Sequence, residues 1–221
     1  MFKLDFSSDV FSQYFTAEAV GQEELTSLEK AAASNFSPKR LKDFSTGRFC
    51  ARKALAELGY APSDIPIGEN NQPLWPDGTV GSISHSGQLT GAVVGLSSHF
   101  LSIGLDIETT GKISADMWNI IYTPAEQQFL NAFGSEELPY YTTLLFSFKE
   151  SFYKMQHPLT NTFLEFTDVE VKLHDDKIGL TVIKDFDGKN RLPHSIPMYH
   201  LKEKNQVITL CYLANNNNTI I

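Results

Sequence analysis

Residues 102–108 read SIGLDIE, an apolar run that ends in two carboxylates, Asp106 and Glu108. Side chains alternate between the faces of a strand, so both acids project from one face, where Gly104 leaves space beside them. Two carboxylates this close resist joint ionisation, and a divalent cation with oxygen ligands removes the conflict. The pattern D-x-E is common, however. On these residues alone, an ordinary half-exposed strand with its polar face in water is the better interpretation.

The segments before this strand predict its neighbours. Short β-like runs at 79–85 and 89–96 precede it across short turns, which favours an antiparallel meander that ends with 101–108. Further upstream, Ser37 as N-cap, Pro38 at the first helical position and a terminating Gly59 predict a helix. Gly47 in its middle costs about 1 kcal/mol relative to Ala, so another requirement must favour glycine there. Residues 1–30 are interpreted loosely as a strand followed by a helix.

Two more helices are predicted downstream. One begins near Thr123, with Pro124 at its first position and Glu126 at its third, the spacing of a capping box. The other covers 139–155, where apolar residues recur at helical spacing and leave Glu150 and Lys154 on a different face. The stripe consists of Leu144, Leu145, Phe148, Phe152 and Met155. The last third of the chain has β-like alternation.

The bulk composition limits the class of protein. The chain has 221 residues, 42% of them hydrophobic, and a formal net charge of −8. It can bury a real core, but its acidic balance argues against general nucleic-acid or anionic-membrane binding. No apolar run could span a bilayer, and MFKLDFSSDVF does not have the pattern of a signal peptide. We therefore expect a cytoplasmic protein whose cysteines, Cys50 and Cys211, are reduced and buried.

Two further segments carry reactive side chains, and each also has an ordinary structural explanation. Glu150 and Lys154 stand four apart in FSFKESFYK, which suits a surface ion pair but also a third metal ligand beside a phosphate-binding lysine. His85 follows Ser84 where a strand enters a turn, and the two suit either local hydrogen bonds or a phosphate. A serine–histidine nucleophile pair is a poor interpretation, because adjacent strand positions point apart.

Arginines form the last group. Arg40, Arg48 and Arg52 follow one helical row, and Arg48 lies at the edge of the apolar face. An arginine there needs an anionic partner, either an acidic side chain or a phosphate. Taken together, the acids, lysines, histidine and arginines suit a Mg²⁺-assisted reaction at a phosphate.

With these motifs in order, the sequence resembles the 4′-phosphopantetheinyl transferases of the Sfp/EntD class, and most of all the branch that serves enterobactin-type siderophore synthesis. The resemblance runs from about Arg40 to the C-terminus through GRFCARKALAELG, QPLWPDGTVGSISHS, IGLDIE and FSFKESFYK. It implies an α/β (α+β) fold of two similar halves, about 1–100 and 101–221, within a single domain of 1–221. The halves would be related by a pseudo-twofold axis, with the site in the cleft.

The resemblance also implies an activity and its residues. A serine of an apo acyl- or peptidyl-carrier protein would attack coenzyme A, and 3′,5′-ADP would leave. Asp106, Glu108 and Glu150 would bind Mg²⁺, or Mn²⁺ in its place. Glu150, as candidate base, Lys154 and Asp106 would be catalytic. Coenzyme A would contact these three residues together with Arg40, Arg48, Ile67, Gly68, Glu69, Asn70, Ser84 and His85. The protein would act as a monomer in nonribosomal peptide synthesis.

One position departs from the family pattern. Relatives usually have a basic residue in the loop that here reads GENNQP, where Asn70 and Asn71 bring no charge. We expect weaker coenzyme A binding, or compensation by Lys39 or Lys42.

Two rival functions use the same residues. A metal-dependent phosphatase or nuclease would transfer to water instead of a carrier protein. A non-catalytic coenzyme A- or carrier-binding module would be expected to lack Asp106, Glu150 or Lys154, and all three are present.

Overall fold

The computed structural model describes residues 9–174, 177–193 and 196–215, and the chain divides into two compact units. The described part of unit 1 is 9–103 with 214–215, and unit 2 is Gly104–Leu213. Residues 1–8, on which the signal-peptide argument and the start of the expected first strand rest, lie outside the described part.

Unit 1 is a three-stranded antiparallel sheet packed against one long helix. Its elements are β1 (Phe11–Thr16), α1 (Ser27–Ala32), α2 (Pro38–Glu57), β2 (Thr79–Ser86) and β3 (Leu89–Leu96), with a 3₁₀ turn at Gln22–Glu24. The sheet order is β1-β3-β2, and α2 packs on β1 and β3. The core between helix and sheet contains Cys50, Ala51, Ala54, Leu55, Ile65, Ala92 and Val94.

Helix α2 begins and ends where its sequence predicts. The Oγ of Ser37 accepts a hydrogen bond from the backbone N–H of Arg40 at 3.3 Å, and Pro38 occupies the first turn. Gly59 has a φ of +82° just beyond the helix. A Cβ at Gly47 would lie 2.9 Å from Cγ2 of Ile83. The glycine therefore allows α2 to pack closely on β2. This close packing explains why glycine occupies position 47 despite its low helix propensity.

Unit 2 contains the remaining elements. They are α3 (Trp118–Ile121), α4 (Pro124–Leu130), α5 (Leu138–Thr160), β5 (Val169–His174), β6 (Lys177–Val182), β7 (Met198–Glu203) and β8 (Gln206–Ala214), with β4 (Phe100–Thr109) leading into the unit. The sheets are β4-β8-β7 and β5-β6, and 3₁₀ turns lie at Ala115–Met117, Phe166–Asp168 and Lys189–Arg191. The predicted capping box of α4 and the buried stripe of α5 are confirmed.

The predicted meander is wrong at its third strand. Strand β4 pairs with β8 and not with β3. The second edge of β3 is taken by β1, whose residues Phe11–Thr16 pair antiparallel with Thr90–Gly95. A strand has two edges, so β4 must find its partner elsewhere, and that partner comes from the end of the chain.

Strand β4 is also more buried than its alternation suggests. Ser102 and Asp106 are 4% and 3% exposed, so the half-exposed strand is the wrong interpretation, while Leu101 on the expected apolar face is 43% exposed. The space expected beside Gly104 is filled by α5. A Cβ at Gly104 would overlap the carbonyl oxygen of Ser151 and lie 2.8 Å from the backbone nitrogen of Met155. Glycine at this position lets the helix approach the strand and does not leave room for a ligand.

The α+β class is confirmed, and the pseudo-twofold relation and the cleft stay predictions. Cys50 and Cys211 are free and buried, as expected, and burial raises the pKa of each thiol to about 12. Across the described ranges, none of the helices is both long and apolar enough to cross a bilayer.

Candidate active site

The centre of the candidate site in unit 2 is the carboxylate of Asp106. Its Oδ1 accepts a hydrogen bond from Nζ of Lys154 at 2.8 Å, and its Oδ2 accepts one from Oγ of Ser147 at 2.8 Å. Lys154 also donates to the carbonyl oxygen of Leu105 at 3.1 Å. Charge-assisted bonds of this kind are about twice as strong as neutral ones, so strand β4 and helix α5 hold the acid in one orientation.

Ser147 and Thr209 support this acid, and the sequence motifs did not reveal either of them. The two hydroxyl oxygens lie 2.9 Å apart, and the hydroxyl of Thr209 donates to the carbonyl oxygen of Ser147 at 2.8 Å. Both residues are fully buried. The available signal was Ser147 itself, which precedes Glu150 by three residues and so lies on a neighbouring face of the same helix.

Glu150 stands in a setting that favours its neutral form. Burial raises the pKa of its carboxyl group, and the charges of Asp106 and Glu108 raise it further, while Lys154 opposes them. A carboxylate whose pKa lies above its ordinary value is a better proton acceptor near neutral pH. The structure thus brings Asp106, Glu108, Glu150 and Lys154 into one electrostatic neighbourhood, as the sequence predicted.

The carboxylates of this cluster are of the chemical type that a divalent metal ion uses when it shares its coordination with a substrate. In the described ranges, no three His, Cys, Asp or Glu side chains form a complete metal cage. Mg²⁺ rarely uses such a cage and usually takes one or two carboxylates together with water and substrate phosphates. Asp106, Glu108 and Glu150 are oxygen donors of that type, and their mutual repulsion at Glu150 is what a cation would relieve.

An apolar pocket of about 230 Å³ adjoins Glu150. The hydroxyl of Tyr153, on its wall, is buried and has no hydrogen-bond partner among the residues that the structure describes. Burial and the charge of Glu150 raise the pKa of this phenol, so it stays a neutral donor. The pocket is lined by Lys149, Glu150, Phe152, Tyr153, Phe163, Leu164, Glu165, Phe166 and Val169. A buried hydroxyl without a partner in an apolar wall is suited to a ligand with a polar group.

Unit 1 has a pocket of its own, of about 340 Å³, with cations and aromatic rings in its wall. The guanidinium of Arg40 lies 4.1 Å from the centre of the Phe36 ring, and that of Arg48 lies 4.4 Å from the centre of the Phe44 ring. The lining consists of Phe36, Ser37, Lys39, Arg40, Asp43, Phe44, Gly47, Arg48, Ile67, Asn71, Ile83 and His85. Two lysines were expected to compensate for the missing basic residue of the loop. Of these, Lys39 lines the pocket and Lys42 does not.

Arg48 is the most buried cation of this pocket, at 5% exposure. Its Nε donates to the carbonyl oxygen of Ile65 at 2.7 Å, and burial lowers its pKa to about 10, so the group stays charged. No carboxylate of the described residues lies within ion-pair distance of Arg48, whereas Arg52 pairs with Glu29 at 2.9 Å. The charge of Glu29 nevertheless counters the effect of burial on the pKa of Arg48, so an acidic side chain and an anionic ligand both remain as its counter-charge.

The structure separates some of the other predicted contacts. Ser84 is buried, while His85, on the opposite face of β2, is half-exposed and lines the pocket, with Nδ1 3.8 Å from Oδ2 of Asp43. In the predicted loop, Ile67 lines the pocket, but Gly68, Glu69 and Asn70 do not.

Loop residue Asn71 takes the place expected for Asn70. Asn71 has a φ of +63° and lines the pocket, while the backbone N–H of Asn70 donates to Oε1 of Gln72 at 2.9 Å. The turn at Gly68–Gln72, closed by a 2.8 Å hydrogen bond, decides which asparagine faces the pocket, and spacing alone did not show this.

Comparisons with known proteins match most of the chain. Residues 28–95 match the family model of the 4′-phosphopantetheinyl transferase N-terminal domain, and 102–211 match that of the 4′-phosphopantetheinyl transferase superfamily. The chain is 36% identical over 149 residues to 4′-phosphopantetheinyl transferase Svp of Streptomyces mobaraensis, covering 67% of this chain and 61% of the relative. It is 37% identical over 143 residues to PptT of Mycobacterium tuberculosis, covering 65% and 63%.

A third relative is matched over more of its length. Enterobactin synthase component D of Escherichia coli O157:H7 is 34% identical over 160 residues, which cover 71% of this chain and 74% of the relative. The match to Svp and PptT, in contrast, spans less than two thirds of the length of either protein.

Proposed function

Since the chain belongs to the 4′-phosphopantetheinyl transferase superfamily, we propose that it transfers the 4′-phosphopantetheine group of coenzyme A to a serine of an apo acyl- or peptidyl-carrier protein. One observation carries the proposal. Lys154 is held between Asp106 and the Leu105 carbonyl group one turn from Glu150, whose pKa is raised. A proton acceptor and a cation for phosphate oxygens thus lie side by side on helix α5.

The reaction assigns a task to each of these groups. The serine hydroxyl of the carrier protein attacks the β-phosphorus of coenzyme A, and its proton passes to Glu150, directly or through water. A bond forms between the serine oxygen and phosphorus, while the bond from phosphorus to the bridging oxygen breaks. That oxygen leaves with 3′,5′-ADP. Lys154 stabilises the negative charge that develops on the phosphate oxygens.

A divalent metal ion, when bound, neutralises charge on the diphosphate. Asp106, Glu108 and Glu150 are the residues that would hold it, and Mg²⁺ and Mn²⁺ both prefer such oxygen donors. Ser147 and Lys154 keep Asp106 oriented for this role through their hydrogen bonds to its two oxygens.

The pocket of unit 1 supports a site for the 3′-phosphate of coenzyme A. Arg48 is charged and buried, no carboxylate in the described part of the chain lies within ion-pair distance of it, and Lys39, Arg40 and His85 share its pocket. Guanidinium groups bind phosphate in bidentate geometry. The aromatic rings of Phe36 and Phe44 orient the two arginines through cation–π contacts.

The apolar pocket beside Glu150 supports a site for the pantetheine arm, which is largely apolar and carries amide groups. The partnerless hydroxyl of Tyr153 would donate to one of these amides. The carrier is one that serves siderophore or other nonribosomal peptide synthesis, since enterobactin synthase component D is among the relatives.

The test is to mix the protein with coenzyme A, Mg²⁺ and several apo-carrier proteins, and to measure the intact mass of each carrier. We expect a carrier to gain one phosphopantetheine in a reaction that stops when the metal is chelated. Parallel reactions with Mn²⁺ identify the preferred ion. Release of 3′,5′-ADP without a carrier would indicate a phosphatase. Binding of coenzyme A without turnover on any carrier would indicate a binding module.

A further inference from the structure

Lys149, next to Glu150 in the chain, is a lysine whose side chain is only 1% exposed. Its Nζ lies 2.6 Å from Oε2 of Glu126 and 2.8 Å from the carbonyl oxygen of Ile121. The carbonyl oxygens of Phe166 and Val169 lie 2.8 and 3.0 Å away. All four partners are acceptors, one more than the three N–H donors of an ammonium group, so every donor has a partner and one is shared. The acceptors come from the end of α3, from α4, from a 3₁₀ turn and from the start of β5.

The carboxylate of Glu126 is equally well satisfied. Its Oε2 accepts from the backbone N–H of Thr123 at 2.8 Å, and its Oε1 accepts from that of Val171 at 2.7 Å. The side chain is 1% exposed. Glu126 therefore caps α4, binds β5 and neutralises Lys149 at the same time, although the sequence shows only its role in the capping box.

The contacts of Lys149 join the two parts of the apolar pocket. Helix α5 supplies Glu150 and Tyr153, while the segment Phe163–Val169 supplies the opposite wall. The carbonyl groups of Phe166 and Val169, which Lys149 binds, belong to that wall. The ammonium group consequently sets the spacing between the carboxylate of Glu150 and the residues that face it.

A contribution to the stability of the fold does not by itself explain why Lys149 and Glu126 form a buried ion pair. Burial lowers the pKa of Lys149, a measure of what the charge costs at this position, and the attraction of Glu126 offsets only part of that cost. Replacing such pairs with well-packed apolar residues is often neutral or stabilising. Fixed geometry beside a reactive group is what an apolar residue would not provide.

We propose that Lys149 is a positioning residue, which locks the turn of α5 that carries Glu150 onto the pocket wall through Glu126, Phe166 and Val169. This rests on the proposed function, in which Glu150 accepts the proton and the pocket takes the arm of coenzyme A. Lys149 touches neither the phosphate nor the attacking serine in this assignment. It acts on the rate by holding Glu150 in place.

The experiment removes both charges together, so that neither is left unpaired. In the double variant Lys149→Met/Glu126→Gln, we expect kcat to fall at least tenfold because Glu150 is displaced, with a smaller rise in KM for coenzyme A because the loosened wall also lines its pocket. The matched control is Lys172→Met. It removes an exposed lysine that forms an ion pair with Glu170 in the same unit. A melting temperature measured for each variant shows that the protein is folded. Wild-type kcat in a folded double variant would overturn the proposal.

If the double variant does not fold, a second variant tests the positioning role of Lys149. Glu126→Gln keeps the ammonium of Lys149 and its three carbonyl acceptors, and it removes the charge of Glu126 together with one acceptor for the backbone N–H of Thr123 or Val171. A lower kcat is expected, with a smaller change in KM, and a wild-type kcat would contradict the positioning role.

Amide hydrogen exchange does not depend on turnover, so it tests the anchoring by Lys149 independently of the proposed function. Amide hydrogen exchange over 163–171 should be faster in the Lys149 double variant than in wild type, and unchanged in Lys172→Met. If the wild type transfers nothing to any carrier but this exchange difference is found, the proposed function fails and the anchoring of the wall stands. Equal exchange in all proteins would overturn the anchoring itself.

Discussion

The ammonium of Lys154 lies 2.8 Å from Oδ1 of Asp106, and this bond crosses from helix α5 to strand β4. Asp106 is buried, while the Lys154 side chain is 29% exposed. The lysine thus neutralises a buried acid on one side and reaches solvent on the other. Such a group can release the carboxylate to a metal ion and turn to a phosphate without leaving a buried charge alone.

Asp106→Asn is expected to abolish transfer while the protein remains folded. The amide keeps the size of the side chain and an acceptor for Ser147 or Lys154, but it loses the charge that a metal ion and Lys154 require. Groups that stabilise developing charge are each worth about 10²–10³ in kcat, and we expect a loss of at least that size. Intact mass of the carrier measures it, and the exposed Asp116→Asn is the matched control. Transfer at the wild-type rate would refute the assigned role.

Asp106→Ala should also cost stability. Both Ser147 and Lys154 lose an acceptor, and breaking a buried pair from one side costs about 3–5 kcal/mol. Because Lys154 is partly exposed, we expect a value near the lower end of that range in chemical denaturation.

Glu150→Gln is expected to make the protein more stable at neutral pH and inactive. The pKa of Glu150 is raised in the folded state above its ordinary value of 4.5, so the charged form opposes folding at pH values above that range. As the pH falls through the folded pKa, the carboxyl group binds a proton and this cost disappears. The melting temperature of the variant should exceed that of wild type at pH 8, and the two should converge below pH 4.5.

For a chain of this size, each kcal/mol gained corresponds to about 2–4 °C in melting temperature. The matched variant is Glu165→Gln, which removes another carboxylate charge from the same pocket wall. A destabilised Glu150→Gln protein at pH 8 would show that the carboxylate is needed for folding instead.

Lys39→Ala should raise KM for coenzyme A, while Lys42→Ala should leave it unchanged. Lys39 lines the pocket of unit 1 with Arg40 and Arg48, and Lys42 does not. An exposed charge pair is worth up to about 1 kcal/mol, which corresponds to a change of about 2–5-fold. Steady-state kinetics at constant ionic strength measures the effect.

A substitution at one of the loop asparagines is expected to lower KM for coenzyme A. Asn70→Lys adds a positive charge to this loop and should lower KM for coenzyme A. The pocket, however, is lined by Asn71. A KM that stays unchanged in Asn70→Lys would contradict the idea that a missing charge at this position weakens binding.

Gly104→Ala is expected to destabilise the protein severely. The added Cβ would overlap the Ser151 carbonyl group, and the backbone of α5 cannot yield as a flexible side chain would. Overpacking costs about 1–3 kcal/mol, and a backbone clash belongs at the upper end. Gly179→Ala in strand β6 is the control, because a Cβ there meets no atom within 4 Å. Thermal unfolding distinguishes the two, and equal melting temperatures would exclude the packing role.

Tyr153→Phe should separate stability from substrate binding. Its hydroxyl is buried and finds no partner in the described ranges, and an unsatisfied buried group costs about 1–3 kcal/mol, so the variant should melt at the same or a higher temperature. If the hydroxyl serves the pantetheine arm, KM for coenzyme A rises in the same variant. Unchanged KM with a raised melting temperature would leave the hydroxyl without a role in binding.

The sequence predicted the parts of the site that depend on local spacing. The alternation of D-x-E and the four-residue spacing of Glu150 and Lys154 are properties of one strand and one helix, and so are the caps at Ser37 and Thr123. The structure brings the acids and the lysine together as the motifs indicated.

What the sequence missed depends on contacts between distant segments. Strand β4 (Phe100–Thr109) pairs with β8 (Gln206–Ala214), which is distant in the chain, because β1 already occupies the free edge of β3. The sequence predicts an open space beside Gly104, but helix α5 fills this space. The anchoring by Lys149 likewise joins four segments, and a single lysine in a helical motif gives no signal of its acceptors.

The two buried cysteines have a consequence for the chemistry of the proposed substrate. Coenzyme A and the product carrier both end in a free thiol, and the disulfide that such a thiol forms on oxidation is attacked by any accessible protein thiolate. With a pKa of about 12, Cys50 and Cys211 are almost never thiolates at neutral pH, and both are fully buried. The protein can therefore work at high concentrations of coenzyme A under oxidising conditions without forming a mixed disulfide with its own substrate.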